Sequence, residues 1–302
     1  MLPIHRLRRF LLSFNQDYRL RRSLLTNAHH ETNLDWEEWV SRESSKRLLC
    51  GMFIVSNLIS TTFGLNPGFS HTHDLDFEIL DDEKLWNAQS AREWREIRQC
   101  QPEVKNTSFQ TVTAELLYNG NQENAQKPYQ ISGFAALVVM HAVNTYMWSL
   151  LQCTQTLSRP SGEPSTLYLT LQSEALSTLE KCNQIISSVR GKENPASMWN
   201  KSEGPIMFNC RALLRIAYIR LVSNAGCFDR LTLLTDNADD VASAVKDYIV
   251  TPQKRGSLFS KSVLKAFEGF LTPIKIGRVP VRKTAALTWS IEHAVAGWDA
   301  GK

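Results

Sequence analysis

Apolar positions along this chain recur every three or four residues over long stretches, and nowhere do they alternate with polar ones over the length of a strand. The clearest run predicts a helix from Asp35 to Phe63. Leu48, Met52, Val55, Ile59 and Phe63 step along one face, and Leu49, Phe53 and Leu58 widen it. The sequence Gly64-Leu65-Asn66-Pro67-Gly68 should stop this helix, because it joins a C-cap glycine to a proline that cannot continue the turn. Gly51 in the interior costs about 1 kcal/mol relative to alanine, which a close helix crossing would explain. Upstream, Leu7, Leu11, Phe14 and Tyr18 share one face of an N-terminal helix. Downstream, Asp81 or Asp82 is expected to cap a helix carrying Leu85, Trp86, Ala88, Ala91 and Trp94.

Further helices are predicted over 108–118, 131–155, 165–189, 205–225, 236–250, 258–271 and 282–298, with polar Gly-, Pro-, Asn- and Ser-containing breaks between the earlier ones. The expected fold class is all-α, a bundle of roughly ten helices with no significant sheet. A single helical domain is expected over 1–302, with the helices from 160 to 302 as a second lobe of it.

With 43% hydrophobic and 21% charged residues, the chain has the material for a large core. Its net charge of +4 is too even to describe a nucleic-acid-coating surface. The distribution of charge is more informative. Arg6, Arg8, Arg9, Arg19, Arg21 and Arg22 crowd the N-terminal helix against Asp17, while Asp74, Asp76, Glu78, Asp81, Asp82 and Glu83 follow one another with no Lys or Arg between. The Arg-rich start also fits a transit peptide, although Asp17 and the continuing periodicity suit a structural helix better. From Thr251 to Lys283 there are eight Lys or Arg against the single acid Glu268, which reads as a solvated surface before it reads as a contact for an acidic partner or a nucleic acid.

The stretch 131–151 has no formally charged residue and is long enough to span a bilayer. His141 and Asn144 sit at its middle, where each would cost on the order of 1–2 kcal/mol or more on insertion, so a buried central helix is the better reading. A hydrogen-bonded core histidine is likewise the better reading of His141 itself.

Chemistry is sparse. The six cysteines, Cys50, Cys100, Cys153, Cys182, Cys210 and Cys227, form no C-x-x-C pair, which argues against a structural zinc site and for reduced core thiols. The common nucleotide-binding, hydrolase and zinc-protease signatures are missing from the sequence. The best metal candidate is the loop His71-Thr72-His73-Asp74-Leu75-Asp76, and it reads more plainly as a polar loop before a helix. An all-α lipid or isoprenoid enzyme would need a second acidic cluster facing Asp236, Asp239 and Asp240, and none is legible. No catalytic, cofactor or metal residue is therefore assigned.

One stretch is specific. Trp36-x-x-Trp39 is followed by Glu43-Ser44 with Lys46 and Arg47 close behind, then by the long helix, a proline-containing break, an acidic loop, and Leu85-Trp86-Asn87-Ala88 with Glu93-Trp94. This order resembles the fungal-specific transcription factor domain, also called the xylanolytic activator regulatory domain, in the branches attached to paired C2H2 fingers or binuclear zinc clusters. The resemblance implies a nuclear regulatory domain that modulates transcription by RNA polymerase II and is not an enzyme. It implies protein partners in the transcription machinery, a small-molecule effector or a homodimer as regulatory options, and no membrane partner. DNA contact and zinc would belong to a module that these residues do not contain, so the chain is expected to be a fragment or a stand-alone relative, with no cofactor of its own. The motif residues are Trp36, Trp39, Glu43, Ser44, Lys46, Arg47, Leu85, Trp86, Glu93 and Trp94. By the family pattern, Glu43, Lys46 and Arg47 orient the loop returning near 74–82. As a bare sequence pair, Glu43 and Arg47 are only an i,i+4 couple on a solvated face. Where relatives carry Leu-Pro before the Leu-Trp helix, this chain has Leu80-Asp81-Asp82.

Overall fold

Asp35 begins the longest helix by satisfying two backbone N–H groups reciprocally. Its carboxylate accepts from Glu38 N–H at 2.8 Å, and the Glu38 carboxylate accepts from Asp35 N–H at 3.2 Å. The helix ends at Gly64, whose φ of 67° is the left-handed conformation that favours glycine. The structure is a computed structural model that describes residues 4–27, 34–100, 107–117, 131–157, 166–190, 204–222, 230–235, 237–250, 256–277, 279, 281–282 and 290–300.

The described helices are α1 (Ile4–Asn27), α2 (Trp36–Phe63), α3 (Glu83–Trp86), α4 (Ala91–Gln99), α5 (Phe109–Leu117), α6 (Gly133–Leu157), α7 (Thr166–Arg190) and α8 (Gly204–Val222). After a 3-10 turn at Arg230–Leu234 come α9 (Ala238–Val250), α10 (Ser257–Ile276) and α11 (Ile291–Ala300). The fold is all-α as expected. Among the described residues there is no sheet, and the one isolated antiparallel bridge joins Glu78 to Ser108.

Helices α6 and α8 lie at the centre. Ala135, Ala136, Val138, Val139, Ala142 and Val143 of α6 are fully buried, as are Cys210, Ala212, Leu213 and Ile216 of α8. Each large aliphatic side chain so placed contributes about 1.5–3 kcal/mol relative to exposure. Around this pair, α8 also packs against α7, α10 and α11, while α2 packs against α1, α6, α11 and the 3-10 turn. One cluster of buried apolar side chains runs from Tyr18 of α1 to Ala296 of α11. Residues 133–153 of α6 are long and apolar enough to cross a membrane, and 67% of the apolar window is buried inside the fold.

Buried polar groups tie the layers together. Thr145 donates to the Asn57 side-chain oxygen at 2.7 Å, linking α6 to α2. Arg220 of α8 donates to Asp299 of α11 at 2.8 Å and to Thr61 O of α2 at 2.7 Å, and Arg230 of the 3-10 turn also donates to Asp299. His141 Nε2 faces Glu292 Oε1 at 3.4 Å with both side chains buried, so the expected core position holds while neither ring nitrogen makes the expected hydrogen bond. Burial alone would raise the Glu292 carboxyl, but the nearby His141 and Ser290 side chains outweigh it and hold the group below its ordinary value.

Three expectations are corrected. Of the expected α2 face, Leu49, Met52 and Phe53 are buried, but Leu48 and Val55 are 48% and 43% exposed. The buried side also takes in Trp39, Glu43, Lys46, Cys50, Ile54, Ser56, Asn57, Ser60 and Thr61, so half of the twelve buried residues of α2 are polar and invisible to a count of apolar spacing. A Cβ at Gly51 would meet nothing within 4 Å, so no helix crosses closely there. The expected single helix through Leu85 and Trp94 is two helices, capped by Asp82 and Ser90, because each side chain accepts from an early N–H of its own helix.

Candidate functional site

The acidic run that the sequence sets apart is gripped from two sides. On the α2 side, Glu43 is 0% exposed and lies between Lys46 at 2.7 Å and Arg47 at 3.1 Å. Its carboxylate also accepts from Asp81 N–H at 3.2 Å, so one buried charge orders two cations and a loop amide together. Lys46 passes on to donate to Ile79 O at 3.2 Å. Arg47 reaches the Glu83 carboxylate at 3.1 and 3.2 Å and lies 4.3 Å from the centre of the Trp86 ring. Arg42 pairs with Glu78 at 3.3 Å.

The tryptophans close the end of this clasp. The Trp39 indole N–H donates to the Asp81 carboxylate at 2.6 Å, and its ring meets Trp94 with centroids 5.5 Å apart. Trp39, Leu85 and Trp94 form a small buried cluster with Trp36, Val40, Trp86 and Ile97 packed against it. Where relatives carry Leu-Pro, Leu80 is buried, Asp81 takes the indole hydrogen bond and Asp82 caps α3, so the departure from the family pattern has structural use here.

On the α1 side, buried Tyr18 donates to Asp74 O at 2.5 Å. Arg22 donates to the Asp74 carboxylate at 2.9 Å and to His73 O, and reaches Asp76 at 3.5 Å. The Tyr18 hydroxyl is pushed well above its ordinary pKa, first by burial and then by nearby Cys50 and Asp74. The loop is also stitched to the start of α5, where Phe109 N–H and Gln110 N–H donate to Phe77 O and Leu75 O at 3.1 and 2.7 Å.

The ten motif residues divide as follows. Trp36, Trp39, Glu43, Lys46, Arg47, Leu85, Trp86 and Trp94 converge on the clasp. Ser44 is exposed and donates to Val40 O of its own helix at 2.6 Å. Glu93 acts locally, accepting Gln89 N–H at 2.8 Å at the start of α4. The reading of Glu43 and Arg47 as a solvated surface pair is corrected, since both side chains point inward. Arg42, Glu78, Tyr18, Arg22 and Asp74 were not singled out from sequence as clasp members. The signal was present in the two opposed charge runs, one rich in arginine and one in acids.

The candidate metal loop uses its ligand-type groups otherwise. Asp74 accepts from Ser70 N–H at 2.7 Å as well as from Arg22, and His71 packs edge-on to Tyr146. Burial and neighbouring His73 lower the His71 pKa. Among the described residues no three His, Cys, Asp or Glu side chains converge as metal ligands. Asp239 and Asp240 are exposed in the first turn of α9, while Asp236 lies outside the described residues, as does Cys227. Cys50, Cys182 and Cys210 are buried and unbridged, their thiols raised by desolvation, Cys182 to about 12. Cys100 and Cys153 are exposed. A small cavity of about 30 Å³ lies among Asn57, Thr145, Trp148 and Arg220, and a more open cleft of about 300 Å³ is bordered by Arg19, Asn66, Ser70, His71, Asp74 and Ser149.

Fold and site together define an all-helical domain whose polar groups immobilise a loop. The family model for the fungal specific transcription factor domain matches residues 9–182, more than half of the chain and the whole clasp. The chain belongs to that family. A second model, the fungal transcription factor C-terminal domain, matches residues 227–301. Zinc finger protein klf1 of Schizosaccharomyces pombe (strain 972 / ATCC 24843) is 30% identical over 115 residues, which is 38% of this chain but 14% of that protein. The chain thus matches only a small part of that relative's length. No solved structure matches it.

Proposed function

We propose that this chain is a regulatory domain that acts in the nucleus on transcription by RNA polymerase II, through contacts with other proteins and not by catalysis. The observation that carries this reading is the family match over 9–182, which encloses every group of the clasp. The family is one of transcription factors, and the Schizosaccharomyces pombe relative is a zinc finger protein, which supports assigning DNA contact and zinc to a module other than these 302 residues. We read 1–302 as one regulatory domain, because a single buried cluster links α1 to α11. The motif residues Trp39, Glu43, Lys46 and Arg47 then serve regulation by fixing the loop that the domain presents. A small effector, where one acts, is assigned to the open cleft, since the smaller cavity has room for little more than a water molecule.

The test is a fusion of the chain to an unrelated DNA-binding domain in yeast, with a reporter downstream and a fluorescent tag for location. The expected result is a nuclear fusion that changes reporter output at least threefold, with the change lost in Arg47→Ala at equal protein level. A cytoplasmic fusion, or unchanged output from a folded chain, overturns the reading.

A further inference from the structure

The deep arginines of this fold are matched to carboxylates. Arg22, Arg42, Arg47, Arg220 and Arg230 leave 12–23% of their side-chain surface exposed, and each lies within ion-pair distance of an Asp or Glu. Arg215 of α8 breaks the pattern. It is 8% exposed, yet among the described residues no hydrogen bond or ion pair reaches its guanidinium. A buried charge without a counter-charge is costly, which is why such groups are normally paired.

The neighbours add positive charge instead of cancelling it. Burial first, and then Arg211 one turn earlier on α8, lower the Arg215 pKa to about 10. On α11, His293 stacks on Phe208, and its pKa is lowered to about 4, by burial and then by Arg215. The acids of this region are engaged elsewhere. Glu268 of α10 is exposed and accepts from Lys265 at 3.1 and 3.3 Å, while Glu292 of α11 faces His141 of α6 at 3.4 Å. Space for the guanidinium is left by Gly269 of α10. A Cβ there would stand 3.2 Å from Arg215 Cδ, 3.3 Å from Nε and 3.4 Å from Nη1.

We propose that the junction of α8, α10 and α11 binds a small phosphate-bearing ligand, whose terminal oxygens are gripped by the forked guanidinium of Arg215. Only a terminal group reaches a side chain this deep. A doubly charged group is favoured over a carboxylate because Arg211 and His293 stand beside Arg215. Inorganic phosphate and a small phosphomonoester share this chemistry. The site is separate from the open cleft and from the clasp, and the proposal goes beyond the regulatory reading without depending on it.

The experiment uses the purified full chain in phosphate-free buffer at constant ionic strength, titrated in turn with inorganic phosphate, glycerol 3-phosphate and acetate while thermal melting is followed. A saturable rise in melting temperature is expected with the phosphate compounds, and roughly tenfold or more weaker binding of acetate. Arg215→Met keeps the aliphatic stem and drops the charge. It is expected to bind phosphate roughly tenfold or more weakly. Without anion it should melt no lower than the native chain, since an unmatched buried charge has gone. His293 supplies a second readout through nuclear magnetic resonance of its imidazole. Sulfate, a dianion at every pH used, is expected to raise the His293 pKa by about one in the native chain and to leave it unmoved in Arg215→Met. No saturable effect of either phosphate compound, equal binding of acetate, or unchanged binding in Arg215→Met overturns the proposal. A lower melting temperature of that variant without anion also overturns it, because Arg215 would then serve the fold. Tighter binding of the ester supports a phosphorylated metabolite as the ligand, and tighter binding of inorganic phosphate supports the free ion. None of these readouts involves the reporter, so failure here and failure of the transcriptional reading are separable.

Discussion

The front of the molecule and its C-terminal third handle their side chains in opposite ways. In the clasp of α1 and α2, charged groups are drawn inside and matched: Glu43 with Lys46 and Arg47, Asp74 with Arg22. In α10, apolar groups are left outside and unmatched, with Val263, Leu264 and Ile274 each at least half exposed. A buried ion pair contributes little net stability, but removing one member is costly, so the clasp specifies geometry above all. An exposed apolar row contributes little to the isolated fold. One region therefore fixes its own shape through buried charge, while the other leaves apolar surface in water.

The sharpest way to break this contrast is Glu43→Ala, which leaves buried Lys46 without its carboxylate and takes one of two carboxylates from Arg47. A loss of about 3–5 kcal/mol is expected, and thermal unfolding should fall by roughly 10 °C. A shift as small as that of an exposed substitution on α10 would refute the buried-charge description. His293 gives a pH-dependent counterpart on α11. Its imidazole stacks on Phe208 at 3.9 Å, and its pKa is lowered to about 4, first by burial and then by Arg215. The unfolded imidazole takes up a proton near 6.5, before the folded one does. The stability from the neutral ring is thus complete above about pH 6.5 and lost as pH falls toward 4, by roughly 2–3 kcal/mol. Denaturant titrations at pH 7 and 4.5 should show this slope in the native chain and its loss in His293→Phe.

Trp39→Phe keeps the ring contact with Trp94 and removes only the indole donor to Asp81. A cost of about 1–2 kcal/mol is expected, since a partly buried carboxylate loses one hydrogen bond, and urea midpoints will measure it. The smallest effect has the opposite sign. Gly51→Ala places a methyl in open space inside a helix and should stabilise by about 0.5–1 kcal/mol. A destabilisation measured in the same titrations would restore the close crossing that the sequence suggested.

Helix ends were legible because caps are local. Asp35 with Glu38, and Gly64 before Asn66-Pro67, announce the bounds of α2 without reference to anything distant. The Trp36-x-x-Trp39 and Leu85-Trp86 strings likewise marked the candidate site, and the opposed charge runs hinted at what holds it. The pairing of Arg22 with Asp74, 52 residues apart, was beyond such reading.

What the sequence by itself determined, then, is that the chain is helical, where most helices begin and end, and which family its front motif belongs to. Only the tertiary structure decided which side of each helix turns inward. Backbone periodicity is a property of neighbours three and four residues apart, and it makes Leu48 and Glu43 equally good members of α2. Whether a carboxylate is buried depends on counter-charges and amides brought from elsewhere in the chain, here Lys46 and Arg47 together with the amide of Asp81. Whether a phenylalanine is left in water depends on what packs against its helix, and against α10 the inward places are held by Ser262 and Gly269.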